Sequence, residues 1–177
     1  VASIITTTGF SSTNFDTWPV IAKFVLVFLM FVGACAGSTG GGMKVSRILI
    51  LIKSGFREIK KAINPRSIKT VKVDKRSVDE PVVKSVSVFF ATYMIVLAVS
   101  IFILSLNGKD LVTTSSAVIA CMGNIGPGLG EVGPYGNFAD FSVLSKLVLC
   151  FDMLAGRLEL IPMLMIFSPY AWSRKYA

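Results

Sequence analysis

Gly123-Asn124-Ile125-Gly126-Pro127-Gly128-Leu129-Gly130 holds four glycines and a proline in eight residues, a composition that neither a helix nor a strand interior chooses. It follows directly on Leu111 to Met122, which is apolar overall but too short to cross a bilayer, since a spanning helix needs about 20 residues. Thr113, Thr114, Ser115 and Ser116 make that segment polar as well, and Asp110 can cap its start. The pattern predicts a re-entrant half-helix that ends in an irregular turn. Near the start of the chain, Thr7-Thr8-Gly9-Phe10 occupies a matching place, just before a long apolar stretch. Non-helical backbone at membrane depth is tolerated only where it is buried in protein or lines water, so two such turns point to one aqueous path. Their carbonyl oxygens are the predicted ligands. A ring of carbonyls replaces the hydration shell of an alkali cation, and glycine lets the backbone turn them inward. The C-terminal end of a half-helix, carrying about −0.5 of an elementary charge, favours cations there.

The whole chain supports a bilayer as part of the solvent. Of 177 residues 53% are hydrophobic and 16% charged, with a mean hydropathy of +0.71, against about 45–50% and about 25% in ordinary globular chains. Disordered and collagen-like classes are excluded. The absence of histidine, and three cysteines spread over positions 35, 121 and 150, exclude a zinc site and a Cys/His catalytic pair. The cysteines read as small apolar packing residues.

Apolar segments run from Pro19 to Gly37, broken only by Lys23, from Met43 to Ile63 with basic residues thickening toward its end, and from Ser85 to Asn107 without a charge. The last, about Phe138 to Phe167, carries Lys146, Asp152, Arg157 and Glu159. Charges at such depths must be buried in protein or face water. The net charge of +8 is concentrated between Lys44 and Lys84. A nucleic-acid patch is one reading of it; a cytoplasmic loop obeying the positive-inside rule is the simpler one. Gly128 to Gly133 matches a dinucleotide-binding G-x-G-x-x-G by accident, with no strand before it and Pro134 after it. Glu131 and Asp140 are candidate outer-vestibule acids. Val1 is not a Met and no signal segment comes after it, so the chain reads as part of a longer protein.

The half-helix, turn and long helix therefore occur twice, which predicts an all-α polytopic membrane protein of membrane–pore-loop–membrane units. Two features lie between and beyond the turns. Five glycines among Gly33 to Gly42 make a flexible stretch suited to a plug, or a small-residue helix-packing surface. Arg157 is expensive in an apolar helix unless it is paired, and its five-donor fork suits a carbonyl-rich loop; Asp152 or Glu159 is the alternative partner.

The Thr7-Thr8-Gly9-Phe10 turn, Gly37-Ser38-Thr39-Gly40-Gly41-Gly42-Met43-Lys44, Asn124 to Gly130, and Gly156-Arg157-Leu158-Glu159 together resemble the TrkH/TrkG/KtrB family of potassium-uptake subunits. The resemblance implies four repeats around a pseudo-fourfold pore, of which this chain is the end of the third (1–63), a basic cytoplasmic linker (64–80) and the whole fourth (81–177). It implies filter carbonyls from Thr7, Thr8, Gly9, Phe10, Asn124, Ile125, Gly126 and Pro127. It makes Gly37, Ser38, Thr39, Gly40, Gly41 and Gly42 an intramembrane gate and Arg157 its latch. Potassium is the cargo, and no cofactor, metal centre or catalysed reaction is expected. The expected setting is the bacterial inner membrane, as a multi-pass homodimer among lipids with a cytosolic nucleotide-binding subunit of the TrkA/KtrA kind and without nucleic acid. A pore subunit of a potassium-pumping P-type ATPase and a membrane anchor with a nucleic-acid-binding loop are the alternatives.

Overall fold

The computed structural model describes residues 1–35, 37–38, 40–64, 72–73 and 76–158. Six helices account for most of them: α1 (Ala2–Ile5), α2 (Val20–Val32), α3 (Val45–Ile63), α4 (Glu80–Ser105), α5 (Leu111–Met122) and α6 (Val143–Arg157). A ribbon of two two-residue strands, β1 (Lys72–Val73) and β2 (Arg76–Ser77), pairs antiparallel between α3 and α4, where the sequence predicts only turns.

The uncharged stretch Ser85 to Asn107 is realised as α4, whose 26 residues begin at Glu80 with a proline in the first turn. At about 1.5 Å per residue it exceeds the roughly 30 Å of hydrocarbon. Val86, Phe89, Tyr93, Ser100 and Leu104 are buried on it at helical spacing, forming one stripe toward α3, α5 and α6. Asp110 caps α5 by accepting from the Val112 amide, and Ser142 caps α6 by accepting from the Ser145 amide. Helix α5 packs against α2, α4 and α6. Residues on all its sides are therefore buried, including Thr113, Thr114 and Ser116. One apolar cluster joins Tyr93, Leu104, Val118, Met122 and Leu149; a second joins Ile4, Phe15, Leu26, Met30, Ile125 and Leu129, tying the N-terminal unit to the turn after α5.

Helix α2 is shorter than predicted, and α6 starts later than predicted, at Val143. The stretch Pro19 to Gly37 yields only 13 helical residues, because Gly33 turns at φ +72. A Cβ on Gly33 would stand 2.5 Å from the Gly41 carbonyl oxygen and 3.0 Å from the Gly42 Cα. From there the described residues between 33 and 44 leave and return: the Met43 amide donates to the Phe31 carbonyl (3.4 Å) and the Val45 amide to the Ala34 carbonyl (3.1 Å). The glycines thus form an excursion with a closed neck, leading into α3. At the other end α6 stops at Arg157; the expected continuation from 159 onward, with Glu159 and Pro162, lies outside the described residues.

Helix α3 has no buried residue. Lys53 Nζ ties it to β1 by donating to the Lys72 carbonyl (2.8 Å), and an ion pair of Arg57 with Glu80 ties it to the start of α4.

The neck predicts a contrast between two glycines of positive φ. Gly33→Ala incurs both backbone strain and a collision with Gly41 and should cost about 2–5 kcal/mol. Gly37→Ala faces open space and should cost only the strain, about 1–2 kcal/mol. Denaturant or thermal unfolding of the two variants in the full-length protein checks the order.

Candidate functional site

The two turns are built alike, residue for residue. In the first, the Thr6 amide donates to Ala2, Thr7 to Ile4 and Thr8 to Ser3; in the second, Gly123 donates to Ile119, Asn124 to Cys121 and Ile125 to Ala120. Each set is the hydrogen-bond pattern of a helix closed by a left-handed residue. That residue is Thr7 (φ 54) in one and Asn124 (φ 55) in the other, and a glycine of positive φ stands two places on, Gly9 (φ 78) and Gly126 (φ 102). Asparagine takes this conformation readily, whereas a β-branched threonine does so at a cost. Sequence reasoning credited only the glycines with unusual backbone; the Asn-x-Gly spacing was the available signal, and Thr-x-Gly hid it. Among the described residues, no donor bonds the carbonyls of residues 6–9 or 123–126.

The turns also touch. A Cβ on Gly9 would collide with the Ile125 carbonyl oxygen and lie 3.2 Å from Pro127 Cδ. The glycine excursion packs against both: a Cβ on Gly40 would be 3.2 Å from Thr7 Oγ1, and one on Gly41 would be 2.7 Å from the Gly123 carbonyl oxygen and 3.2 Å from Asn124 Nδ2. Helix α6 supports the second turn from another side. Asn124 Nδ2 donates to the Met153 carbonyl (3.0 Å), and a Cβ on Gly156 would collide with the Met122 carbonyl oxygen. Asp16, which sequence reasoning passed over, links the segment after the first turn to the exit of the second: its Oδ1 accepts from the Gly130 amide (3.1 Å) and pairs with Lys23 (3.4 Å). Of the predicted set Phe10 is 85% exposed, and Thr8 and Gly126 are exposed as well.

Ser38, Gly40 and Gly42 of the excursion share a cavity of about 80 Å³ with Tyr93, Gly156 and Arg157. Ser38 Oγ is turned to the Cys35 carbonyl (2.7 Å); Thr39 lies outside the described residues. Arg157 is brought to the loop, but as the last residue of α6 and exposed, not deep in a continuous helix as expected. A cation at a helix C-terminus is favourable on its own account. Asp152 instead accepts the Ser100 hydroxyl at 2.8 Å in the core. Cys121 is buried, while Cys35 and Cys150 are exposed rather than packed. Beyond the second turn Glu131 pairs with Lys109 (2.6 Å), a hydrogen bond that raises the Lys109 ammonium above its ordinary range. The Gly128 to Gly133 run forms a short 3-10 turn at Gly130–Val132, with no strand before it.

The family model described as "TrkH: Cation transport protein" matches residues 1–176. The chain belongs to this family. Among TrkH relatives, the Trk system potassium uptake protein TrkH of Vibrio parahaemolyticus is 44% identical over 170 residues, covering 96% of this chain and 35% of that protein. The TrkH protein of Escherichia coli is 38% identical over 172 residues, and its TrkG protein 33% over 171, each again matched over 35% of its length. The crystal structure of the potassium transporter TrkH from Vibrio parahaemolyticus superposes with a TM-score of 0.83 at 43% identity, over 96% of this chain and 36% of that one. The chain thus spans about a third of the length of the TrkH relatives it matches.

The turn contacts predict that Gly9→Ala and Gly126→Ala differ. Gly126 faces open space, and its substitution costs strain alone, about 1–2 kcal/mol. Gly9→Ala adds the collision with Ile125 and should destabilise by clearly more, read from the unfolding midpoints of the two full-length variants.

Proposed function

We propose that this chain supplies two of four membrane–pore-loop–membrane repeats of a potassium-uptake pore: the end of one (1–63), a cytoplasmic basic linker (64–80) and a complete second (81–177). The observation that carries this reading is the shared register of the two turns, with left-handed residues at Thr7 and Asn124, glycines of positive φ at Gly9 and Gly126, and neighbouring carbonyls left without donors among the described residues. Carbonyls freed in this way, at the negative end of α5, suit a dehydrated cation and repel an anion. Thr7, Thr8, Gly9, Phe10, Asn124, Ile125, Gly126 and Pro127 form this chain's share of the filter, Phe10 and Pro127 at its margins. The Trk system potassium uptake relatives favour potassium as the cargo. The function is transport, without a catalysed reaction or a resident cofactor.

The excursion from Gly37 to Gly42 is the gate, supported by its packing against both turns. Arg157 is its latch, supported by the cavity the two share. The working unit is a homodimer spanning the bacterial inner membrane several times and regulated by a cytosolic nucleotide-binding subunit, for which the basic segment of sequence from Lys44 to Arg76 offers docking charge beside anionic lipid headgroups.

Rubidium and sodium uptake in a potassium-uptake-deficient bacterium tests the filter. The full-length protein should carry rubidium in preference to sodium, and Gly126→Ser should weaken that flux or its selectivity; unchanged flux and selectivity would remove the filter from this turn. Arg157→Ala should raise leak through the unregulated protein severalfold, and unaltered leak in a folded, membrane-inserted variant would dismiss the latch.

A further inference from the structure

Helix α6 carries a carboxylate where a membrane core tolerates one least. Asp152 is 0% exposed, enclosed by α4, α5 and its own helix. Its Oδ1 accepts the Ser100 hydroxyl, and its Oδ2 has no hydrogen-bond partner among the described residues. It takes part in none of the ion pairs among those residues. A buried carboxylate with one neutral donor and no counter-charge is costly, and inside a membrane protein such a group marks a site.

The titratable groups facing it are Tyr93 on α4 and Cys121 on α5. The cations of α6 are engaged elsewhere. Lys146 donates to the Ala139 carbonyl at 2.7 Å, and Arg157 lines the cavity under the glycine excursion. Asp152 also adjoins the second turn: the next residue, Met153, accepts the Asn124 side chain through its carbonyl, and Gly156 one turn on lies against the Met122 carbonyl.

The geometry points to Asp152 and Ser100 as a binding site for a single positive charge, a proton or a sodium ion, placed behind the second turn so that its occupancy weakens cation binding in that turn. The sparse shell favours the proton. An alkali ion needs a cage of oxygens in place of its hydration shell, and Ser100 is the one hydrogen-bonding neighbour of Asp152 among the described residues, whereas a proton needs a single acceptor. Filling the site neutralises the carboxylate and withdraws its attraction for a cation held in the turn, an attraction that the low-polarity interior screens far less than water does. The inference rests on the reading that residues 123–126 line the cation path.

The test is the KM for rubidium uptake by the full-length protein in vesicles, measured across pH at fixed sodium and across sodium at fixed pH. Wild type should show a KM that rises as the site fills, by about tenfold for unit charges about 10 Å apart at an effective dielectric constant of about 20. Asp152→Asn, neutral and nearly isosteric, should be flat at the filled-site value, meeting wild type in acid and parting from it in alkali. Ser100→Ala, which keeps the carboxylate, should displace the transition without abolishing it. A transition that follows sodium rather than pH supports the site with sodium as occupant. Wild-type and Asp152→Asn profiles that coincide in both titrations would overturn it; should Asp152→Asn not fold, an unmoved transition in Ser100→Ala would do the same. Failure here with Gly126→Ser still disabling uptake leaves the pore standing, while intact uptake in Gly126→Ser removes the pore reading itself.

Discussion

Backbone meets backbone around the two turns, and the rest of the structure depends on that contact. Gly9 lies against the Ile125 carbonyl, Gly41 against the Gly123 carbonyl and Gly156 against the Met122 carbonyl, each at a separation that admits no side chain. Such closeness puts peptide dipoles from four parts of the chain within one small volume. It needs support that does not consume the carbonyls themselves. The Asn124 side chain supplies part of this by bonding outward to Met153, and the bonds that close α1 and α5 use only the amides of the turns.

Packing outside that volume serves to hold α5 still. A short helix with four consecutive hydroxyl residues has little reason to remain in an apolar surround by itself. Its enclosure by α2, α4 and α6 buries most of those residues together with Val118 and Met122. Its hydroxyls are accommodated unevenly: Ser116 receives the Leu129 amide at 2.9 Å and so ties the helix to the irregular segment beyond the turn, while Thr114 Oγ1 is buried without a partner among the described residues. The neck that closes residues 33–44 serves the same end from the other side. It lets a glycine-rich segment approach the turns while α2 and α3 remain ordinary helices. Phe31 at that neck also meets Tyr93 edge-on at 5.6 Å, and Arg47 lies 4.2 Å over the Phe89 ring, so both ends of the excursion are anchored on α4.

Much of this was legible in order and type because the signals are local. The bounds of α5, Leu111 to Met122, coincide with the expected half-helix, since Asp110 and Gly123 punctuate it at its two ends. The length of α2 and the start of α6 were not legible. Apolar composition continues past Val32, and the event that ends the helix there is the return of Gly41 and Gly42 from further along the chain. Arg157 read as the interior of one long helix because the sequence around it is apolar; α6 as described ends at that residue. Asp152, one of several charges at depth in the sequence, stands apart only once Ser100, 52 residues earlier, is brought to it.

Composition, hydropathy and turn residues by themselves determined a membrane-embedded helical chain, its two half-helix turns and the basic segment between its units. Each of these depends on neighbours a few positions apart, where propensity and periodicity act. Only the tertiary structure decided that the two turns share one register and touch, that the glycines form a closed excursion against them, and that one carboxylate lies buried without a counter-charge among the described residues. Those outcomes depend on contacts between segments tens of residues apart, and on whether a Cβ or a hydrogen-bond partner has room once the helices have packed.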